Sequence, residues 1–191
     1  MRMGRYSSLI AEKIGLSANE VQNILYASPM HDVGKIEIPD SILMKPGKLT
    51  DEEFEIMKTH STIGANLLAY SKSEILQVAE EIAVSHHEKW NGKGYPQGLA
   101  GENIPLVGRI VGLADVFDAL TSKLPYKDPF SVEKAIDIIK QERGEHFDPH
   151  MVDVFLENID EILQIKEEVS SVEGMLCYPM PNVGKIGRRG S

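Results

Sequence analysis

The sequence predicts an all-α fold, because apolar residues recur at helical spacing through most of its 191 residues. Two capping boxes, Ser17-Ala-Asn-Glu20 and Thr50-Asp-Glu-Glu53, mark the starts of helices. No stretch of more than a few residues alternates between apolar and polar side chains as a strand would. We therefore expect a set of helices joined by loops that contain glycine and proline.

The first half of the chain predicts four helices. Residues 2–14 form the first, which Gly15 ends, and the second runs from Ser17 to near His31. Residues 33–50 are a long connection, since glycine and proline recur within them. A third helix follows Thr50 and carries His60, and a fourth covers about 73–87.

The second half predicts a loop over 88–104 and a helix over 106–122 that is apolar almost all round, which indicates a central position. Helices starting at Ser131 and at Asp148-Pro149 complete the fold. The expected domain covers 1–165, with an apparently truncated first helix, and 166–191 is a C-terminal extension without periodicity.

Composition and charge argue against several classes of protein. The net charge of −9 argues against a face for DNA or RNA, which would have to be basic. The single cysteine, Cys177, cannot form an internal disulfide, which fits the cytoplasm. No apolar stretch is long enough to span a membrane, and the start has no signal-peptide pattern.

Histidines and carboxylates occur at apolar helical positions. His86 and His87 end a helix immediately before a Gly-rich, aromatic loop. Taken alone, the pair also suits a solvated helix C-terminus, where histidine is favoured by the dipole. Further candidates make a metal site the better interpretation, since imidazole and carboxylate suit transition metals: His31, Asp32, His60 and Asp115.

Asp115 and Asp118 lie inside the apolar helix, where an unpaired carboxylate is costly. A metal is the simplest partner for one of them, and a nearby arginine or a helix cap is the alternative. Six nitrogen and oxygen ligands are too many for one catalytic ion with an open position. They suit two ions, which can clamp a phosphoryl group between them.

Three motifs occur in order: His31-Asp-Val-Gly-Lys-Ile-Glu-Ile-Pro-Asp40, His86-His-Glu-Lys-Trp-Asn-Gly-Lys-Gly-Tyr-Pro96 and Arg109-Ile-Val-Gly-Leu-Ala-Asp-Val-Phe-Asp-Ala-Leu-Thr-Ser122. Their order and spacing over about residues 2–160 resemble the HD-GYP domain, a branch of the HD metal-dependent phosphohydrolases. The resemblance implies an HD helical core with additional C-terminal helices behind the Gly-Tyr-Pro loop. It also implies hydrolysis of cyclic di-GMP to pGpG, and on to GMP in some members.

The resemblance also assigns site residues. It implies metal ligands at His31, Asp32, His60, His86, His87 and Asp115, holding two ions or three, with iron expected first and manganese or nickel as alternatives. Asp32 and Lys35 are implied as catalytic, with Lys35 reaching the scissile phosphate. The implied substrate-binding residues are Gly94, Tyr95, Pro96, Asp118 and Lys127. An upstream sensor or receiver domain, a diguanylate cyclase and a second copy of the chain are the expected partners.

Two departures from the family pattern bear on activity. A family histidine ligand would lie before Met1, and Leu124 stands where the family usually has an arginine. Leu124 cannot grip phosphate bidentately, so substrate affinity should fall. The alternative function is therefore a weak or inactive module that binds the dinucleotide or a partner protein. A phosphohydrolase acting on another nucleotide is a third interpretation, which the intact Gly-Tyr-Pro loop disfavours.

Overall fold

Ten α-helices account for most of the residues that the computed structural model describes, which are 2–122 and 128–176, with side chains described as far as residue 169. The helices are α1 (Arg2–Lys13), α2 (Ala18–Ala27), α3 (Asp40–Leu43), α4 (Asp51–Lys58), α5 (His60–Leu68), α6 (Glu74–Ser85), α7 (Leu106–Thr121), α8 (Val132–Gln141), α9 (Pro149–Glu157) and α10 (Ile159–Leu176). Short 3-10 turns cover Ser28–Met30, Val33–Glu37 and Gly101–Asn103. The described residues contain isolated β-bridges but no sheet, so the all-α prediction is confirmed.

Four of the predicted helix starts are confirmed by capping hydrogen bonds. In both capping boxes the side chain of the first residue accepts from the backbone N–H three residues on, and the glutamate bonds back. Ser131 caps α8 by accepting from the N–H of Lys134, and Asp148 caps α9 by accepting from the N–H of His150. These bonds satisfy backbone donors that the first turn of a helix leaves unpaired.

The helix predicted after Thr50 is in fact two helices, α4 and α5, which meet at Thr59. The carbonyl of Ile56 accepts from both the N–H and the hydroxyl of Thr59, and the carbonyl of Met57 lies 2.7 Å from His60 Nδ1. These contacts replace the continuous helical ladder. The interruption makes His60 the first residue of α5.

The last predicted helix is also divided, into α9 and α10, at Asn158. The Asn158 side chain donates to the carbonyl of Val154 at 2.8 Å, which competes with the helical pattern. The α10 helix continues across the predicted domain boundary at 165/166. Lys166 there donates to the carbonyl of Thr121 at the end of α7. The division into two regions stays a prediction.

The α7 helix lies at the centre of the core, as its apolar sequence predicted. Its Phe117 is fully buried and makes edge-to-face contacts with Tyr6 of α1, at 5.5 Å between ring centroids, and Phe155 of α9, at 5.0 Å. Burying each such ring stabilises the fold by about 1.5–3 kcal/mol. No helix in the described ranges is both long and apolar enough to cross a membrane. The core thus fixes α7, which carries Asp115.

Candidate metal centre

Side chains from four parts of the fold converge on one cluster. His31 and Asp32 lie between two 3-10 turns, His60 begins α5, His86 and His87 follow α6, and Asp115 lies within α7. Ligand atoms of Asp32, His60, His86 and His87 all lie within 4.8 Å of one another. His31 and Asp115 adjoin this group, with His31 Nε2 3.6 Å from Asp115 Oδ1. The six predicted ligands therefore meet in space.

The Asp32 carboxylate lies at the centre of the cluster. Its Oδ2 is 3.2 Å from His31 Nε2, and its Oδ1 is 3.3 Å from His60 Nε2 and 3.9 Å from His86 Nε2. The two oxygens thus face different histidines. A carboxylate in this position can serve two ions at once, as a bridging ligand does.

Gly34 allows the segment that carries Asp32 to approach α5. A Cβ atom at this position would lie 2.0 Å from the carbonyl oxygen of His60 and 2.5 Å from the backbone nitrogen of Gly64. Both distances are far inside van der Waals contact, so only glycine fits. The short distance between Asp32 and His60 depends on this backbone contact.

Hydrogen bonds to backbone carbonyls orient three of the histidine rings. The Nδ1 atoms of His31, His60 and His86 lie 2.9, 2.7 and 3.0 Å from the carbonyl oxygens of Ser28, Met57 and Ile82. A carbonyl can only accept, so each Nδ1 is assigned as the protonated donor. In the neutral ring, Nε2 then presents its lone pair to the cluster. This is the arrangement that metal-binding histidines usually adopt.

Three of the inward-facing atoms are buried without a hydrogen-bond partner among the described residues: Asp32 Oδ1, His60 Nε2 and His86 Nε2. All three are acceptors in the assigned tautomers, so their lone pairs face one another. Burying unpaired acceptors is unfavourable, and a cation between them would reverse the sign of the interaction. The residues present therefore fit a divalent metal ion, and the imidazole and carboxylate donors suit iron, manganese, nickel or zinc.

Burial and neighbouring charges keep His86 and His87 in the neutral form that can bind a metal. Burial lowers the pKa of His86 to about 3, and burial together with the neighbouring imidazoles lowers the pKa of His87 to about 2. Burial opposes ionisation of Asp32, but its hydrogen bond to His31 and the charges of His31 and Lys35 hold its pKa well below the usual range. Neutral imidazoles and an ionised carboxylate are the protonation states that metal binding requires.

The pKa values of Asp115 and His31 are raised, in contrast to those of His86, His87 and Asp32. Burial raises the pKa of the Asp115 carboxyl. Burial also acts against protonation of His31, yet its hydrogen bond to Asp32 and the charges of both carboxylates raise the His31 pKa overall. In the absence of a cation, a proton on His31 offsets part of the negative charge. The metal alternative for Asp115 is thus supported by its position, and no arginine contact to it occurs among the described residues.

Lys35 stands at the edge of the cluster. Its Nζ donates to Asp32 Oδ2 at 2.6 Å, and about a third of its side chain is exposed. The ammonium group therefore faces both the carboxylate and solvent. A phosphate that approached the cluster from solvent would meet this charge.

The Gly94-Tyr95-Pro96 loop packs against the histidines. The Tyr95 ring stacks on His87 with centroids 4.7 Å apart, and burial raises the pKa of the phenol, which keeps it neutral. A Cβ at Gly94 would lie 2.3 Å from the backbone nitrogen of Lys89, so the loop can approach this backbone only with glycine. The loop residues predicted to bind substrate thus border the metal cluster.

Glu88 holds this loop and was not among the predicted site residues. Its buried carboxylate accepts from the N–H of Gln97 at 2.7 Å and of Leu99 at 3.0 Å. The available signal was a glutamate directly after the two histidines. Its spacing alone does not indicate partners nine and eleven residues further along the chain.

Asp118 pairs with Arg2, whose Nε lies 3.0 Å from Asp118 Oδ1. Arg2 also donates to Ser122 at 3.1 Å. Asp118 therefore holds an arginine at one end of α7, one turn beyond Asp115. Lys127 and Leu124 lie outside the described residues, so the predictions that concern them stay predictions.

The two remaining histidines, His146 and His150, lie near the start of α9. His150 is exposed, but His146 is partly buried and stacks on Phe147 with centroids 4.3 Å apart. Burial lowers the His146 pKa to about 4. Neither residue is part of the group of ligand atoms around Asp32.

Comparison with known proteins places this cluster in a family. A family model described as "HD domain" matches residues 1–151. The chain is 48% identical over 170 residues to the cyclic di-GMP phosphodiesterase response regulator RpfG of Xanthomonas campestris, covering 89% of this chain and 45% of the relative. It is 49% identical over 177 residues to a cyclic di-GMP phosphodiesterase of Thermotoga maritima, covering 91% and 48%.

A third relative is named for a different dinucleotide. The 3'3'-cGAMP-specific phosphodiesterase 2 of Vibrio cholerae is 48% identical over 165 residues, covering 86% of this chain and 32% of the relative. The chain thus spans about half or less of the length of these curated relatives. Two of them are named for cyclic di-GMP and one for cyclic GMP-AMP.

Solved structures share the fold. A cyclic GMP-AMP specific phosphodiesterase from V. cholerae superposes with a TM-score of 0.68 at 23% identity, covering 93% of this chain and 48% of that chain. An HDG"Y"P protein from Bdellovibrio bacteriovorus gives a TM-score of 0.60 at 18% identity, covering 83% of this chain and 51% of that chain. The HD domain model over residues 1–151 identifies the chain as a member of the HD domain family, and the Gly-Tyr-Pro loop beside the His-Asp cluster places it in the HD-GYP branch.

Proposed function

We propose that this chain is a metal-dependent phosphodiesterase that hydrolyses cyclic di-GMP to pGpG, with GMP as the product of a further cleavage. The observation that carries the proposal is the set of buried, unpartnered ligand atoms around Asp32, open on the side of Lys35. The named activities of the relatives support the substrate class. The alternative, a module that only binds the dinucleotide or a partner protein, has less support because all six predicted ligands are present and converge.

The six ligands would hold two or three divalent ions. Iron is proposed first, and manganese or nickel are the alternatives that the same donors accept. Such ions supply the positive charge that activates water and neutralises a phosphoryl group. His31, His60, His86, His87 and Asp115 would share the ligand role with Asp32, which would bridge.

The protein's own groups perform the remaining steps of this proposal. Lys35 places its ammonium beside Asp32, where it would stabilise charge on the oxygen that leaves when water breaks the P–O bond. Tyr95, fixed by stacking on His87, would form one wall of the substrate site, with Gly94 and Pro96 beside it. Asp118 would act through Arg2, which it holds, and Lys127 would contact phosphate.

We also propose the setting of this reaction. The chain would serve as an output domain in the cytoplasm of a bacterium, joined to a sensor or receiver domain, and a diguanylate cyclase or a second copy of the chain could associate with it. The matched relatives are about twice as long as the matched part or longer, which leaves room for such domains in them.

The direct test is an assay of anaerobically purified, metal-reconstituted protein with cyclic di-GMP, with the linear products separated by chromatography. We expect pGpG to appear with the wild type and not with Asp32→Ala. Glu157→Gln, an exposed change on α9, is a matched control that should retain activity. Tight binding of cyclic di-GMP without turnover would favour the non-catalytic alternative.

A further inference from the structure

A polar cavity lies beside the metal cluster, between α4, the start of α5 and the Gly-Tyr-Pro loop. Its volume is about 180 Å³ and its lining residues are Glu55, Lys58, Thr59, Thr62, Tyr95 and Pro96. Tyr95 links it to the cluster, because its ring stacks on His87. None of the α4 residues has a role in the proposed phosphodiester cleavage.

Aromatic rings form the apolar part of this surface. Phe54 is 46% exposed, and its ring lies nearly perpendicular to that of Tyr95, with centroids 6.2 Å apart. An exposed phenyl ring next to a polar cavity offers a stacking face to a flat heteroaromatic group. A cyclic dinucleotide carries one such group on each side of its phosphates.

A charged pair forms the polar part. Lys58 Nζ lies 2.5 Å from Glu55 Oε1, and it also lies 5.5 Å from the Phe54 centroid and 5.7 Å from the Tyr95 centroid. Lys58 is thus held over the aromatic rings, while the Glu55 carboxylate remains largely exposed. The surface thus presents an ammonium donor next to the two acceptor oxygens of one carboxylate, that of Glu55.

We propose that Glu55, Lys58 and Phe54 form a nucleobase subsite that selects guanine, an inference that deepens the proposed function and rests on it. Guanine offers two adjacent donors, N1–H and N2–H, which both oxygens of one carboxylate can accept, and O6 next to them accepts from an ammonium. Adenine lacks the second donor and places an acceptor at N1, where it would face the carboxylate. The pair therefore favours guanine when the sugar-phosphate ring fixes the orientation of the base.

The experiment compares kcat and KM for cyclic di-GMP and cyclic di-AMP with metal-loaded protein. We expect Glu55→Gln and Lys58→Met to raise KM for cyclic di-GMP about tenfold, with little change in kcat, in metal content or in the values for cyclic di-AMP. Phe54→Leu should raise KM for both dinucleotides by the same factor, since stacking does not distinguish the bases. Glu157→Gln and Lys140→Met, two exposed changes elsewhere, are the matched controls.

The outcomes separate the two proposals. If the wild type hydrolyses cyclic di-GMP and the Glu55 and Lys58 variants leave the preference for guanine unchanged, the subsite is wrong and the proposed function stands. If the wild type hydrolyses neither dinucleotide, the proposed function fails, and calorimetric titration of the same proteins tests the subsite by binding. Equal affinity of the wild type for both dinucleotides, or no binding of either, overturns the subsite.

Discussion

Replacing Gly34 by alanine should move Asp32 away from His60 in the metal cluster. The added Cβ would lie 2.0 Å from the His60 carbonyl oxygen, whereas an ordinary contact begins near 3.4 Å. The segment that carries Asp32 must therefore withdraw by about 1.4 Å, because the neighbouring atoms are backbone and cannot rotate away. Metal sites tolerate displacements of only about 0.5 Å, so we expect the variant to bind less than one metal per chain.

Gly64, which packs against Gly34 from α5, provides a control variant with a smaller expected effect. A Cβ at Gly64 would lie 3.3 Å from both Ala83 Cβ and the Gly34 nitrogen, so the neighbours need to move only slightly. We expect Gly34→Ala to lower the free energy of unfolding by about 3 kcal/mol, at the upper end for overpacking, and Gly64→Ala by less than about 1 kcal/mol.

Urea unfolding followed by circular dichroism would measure the stability of both variants without metal, and elemental analysis would measure the metal content after anaerobic reconstitution. A folded Gly34→Ala protein with full metal content and unchanged stability would refute the reasoning. It would mean that the approach of Asp32 to His60 does not depend on this backbone contact.

Three further predictions concern the cluster itself. Asp32→Ala should reduce metal content and abolish turnover, since its two oxygens face different histidines; elemental analysis and the product assay test this. Lys35→Met should retain metal and lose mainly kcat, because its charge acts in the transition state; an equal loss of metal would show a structural role. The metal-free protein should lose stability as pH falls from about 6.5 towards 3, because the depressed pKa values of His86 and His87 let the unfolded chain take up protons first. His87→Gln should make this decline, measured by urea unfolding, less steep.

Local signals predicted the helices well, and side-chain hydrogen bonds to carbonyls three or four residues earlier account for the two missed breaks. The capping boxes at Ser17 and Thr50 determine helix starts through neighbouring residues, so the sequence alone was sufficient. The break at Thr59 depends on which donors take the carbonyls of Ile56 and Met57, and the apolar periodicity continues through it. The break at Asn158 likewise depends on a side-chain hydrogen bond, from Asn158 to the carbonyl of Val154.

The candidate site was predicted from residue types and from the family motifs, while its geometry was not. Histidine and aspartate at apolar positions indicated the ligands, and the structure brings all six together. The partner of Asp118 could not be predicted, since Arg2 is 116 residues away in the sequence. The role of Glu88 was missed for a similar reason, because its partners are backbone groups and carry no residue signature.

The carbonyl contacts of His31, His60 and His86 have a consequence for how the ion is acquired. Each ring is tied to a backbone carbonyl three or four residues earlier in the chain, so its rotamer is fixed when that segment folds. Ordering a free side chain on binding would cost about 0.5–1.5 kcal/mol for each group, and here folding has already met that cost. A metal ion would therefore meet ligands that are already oriented, so we expect the metal-free chain to keep the same backbone and metal binding to need no refolding step.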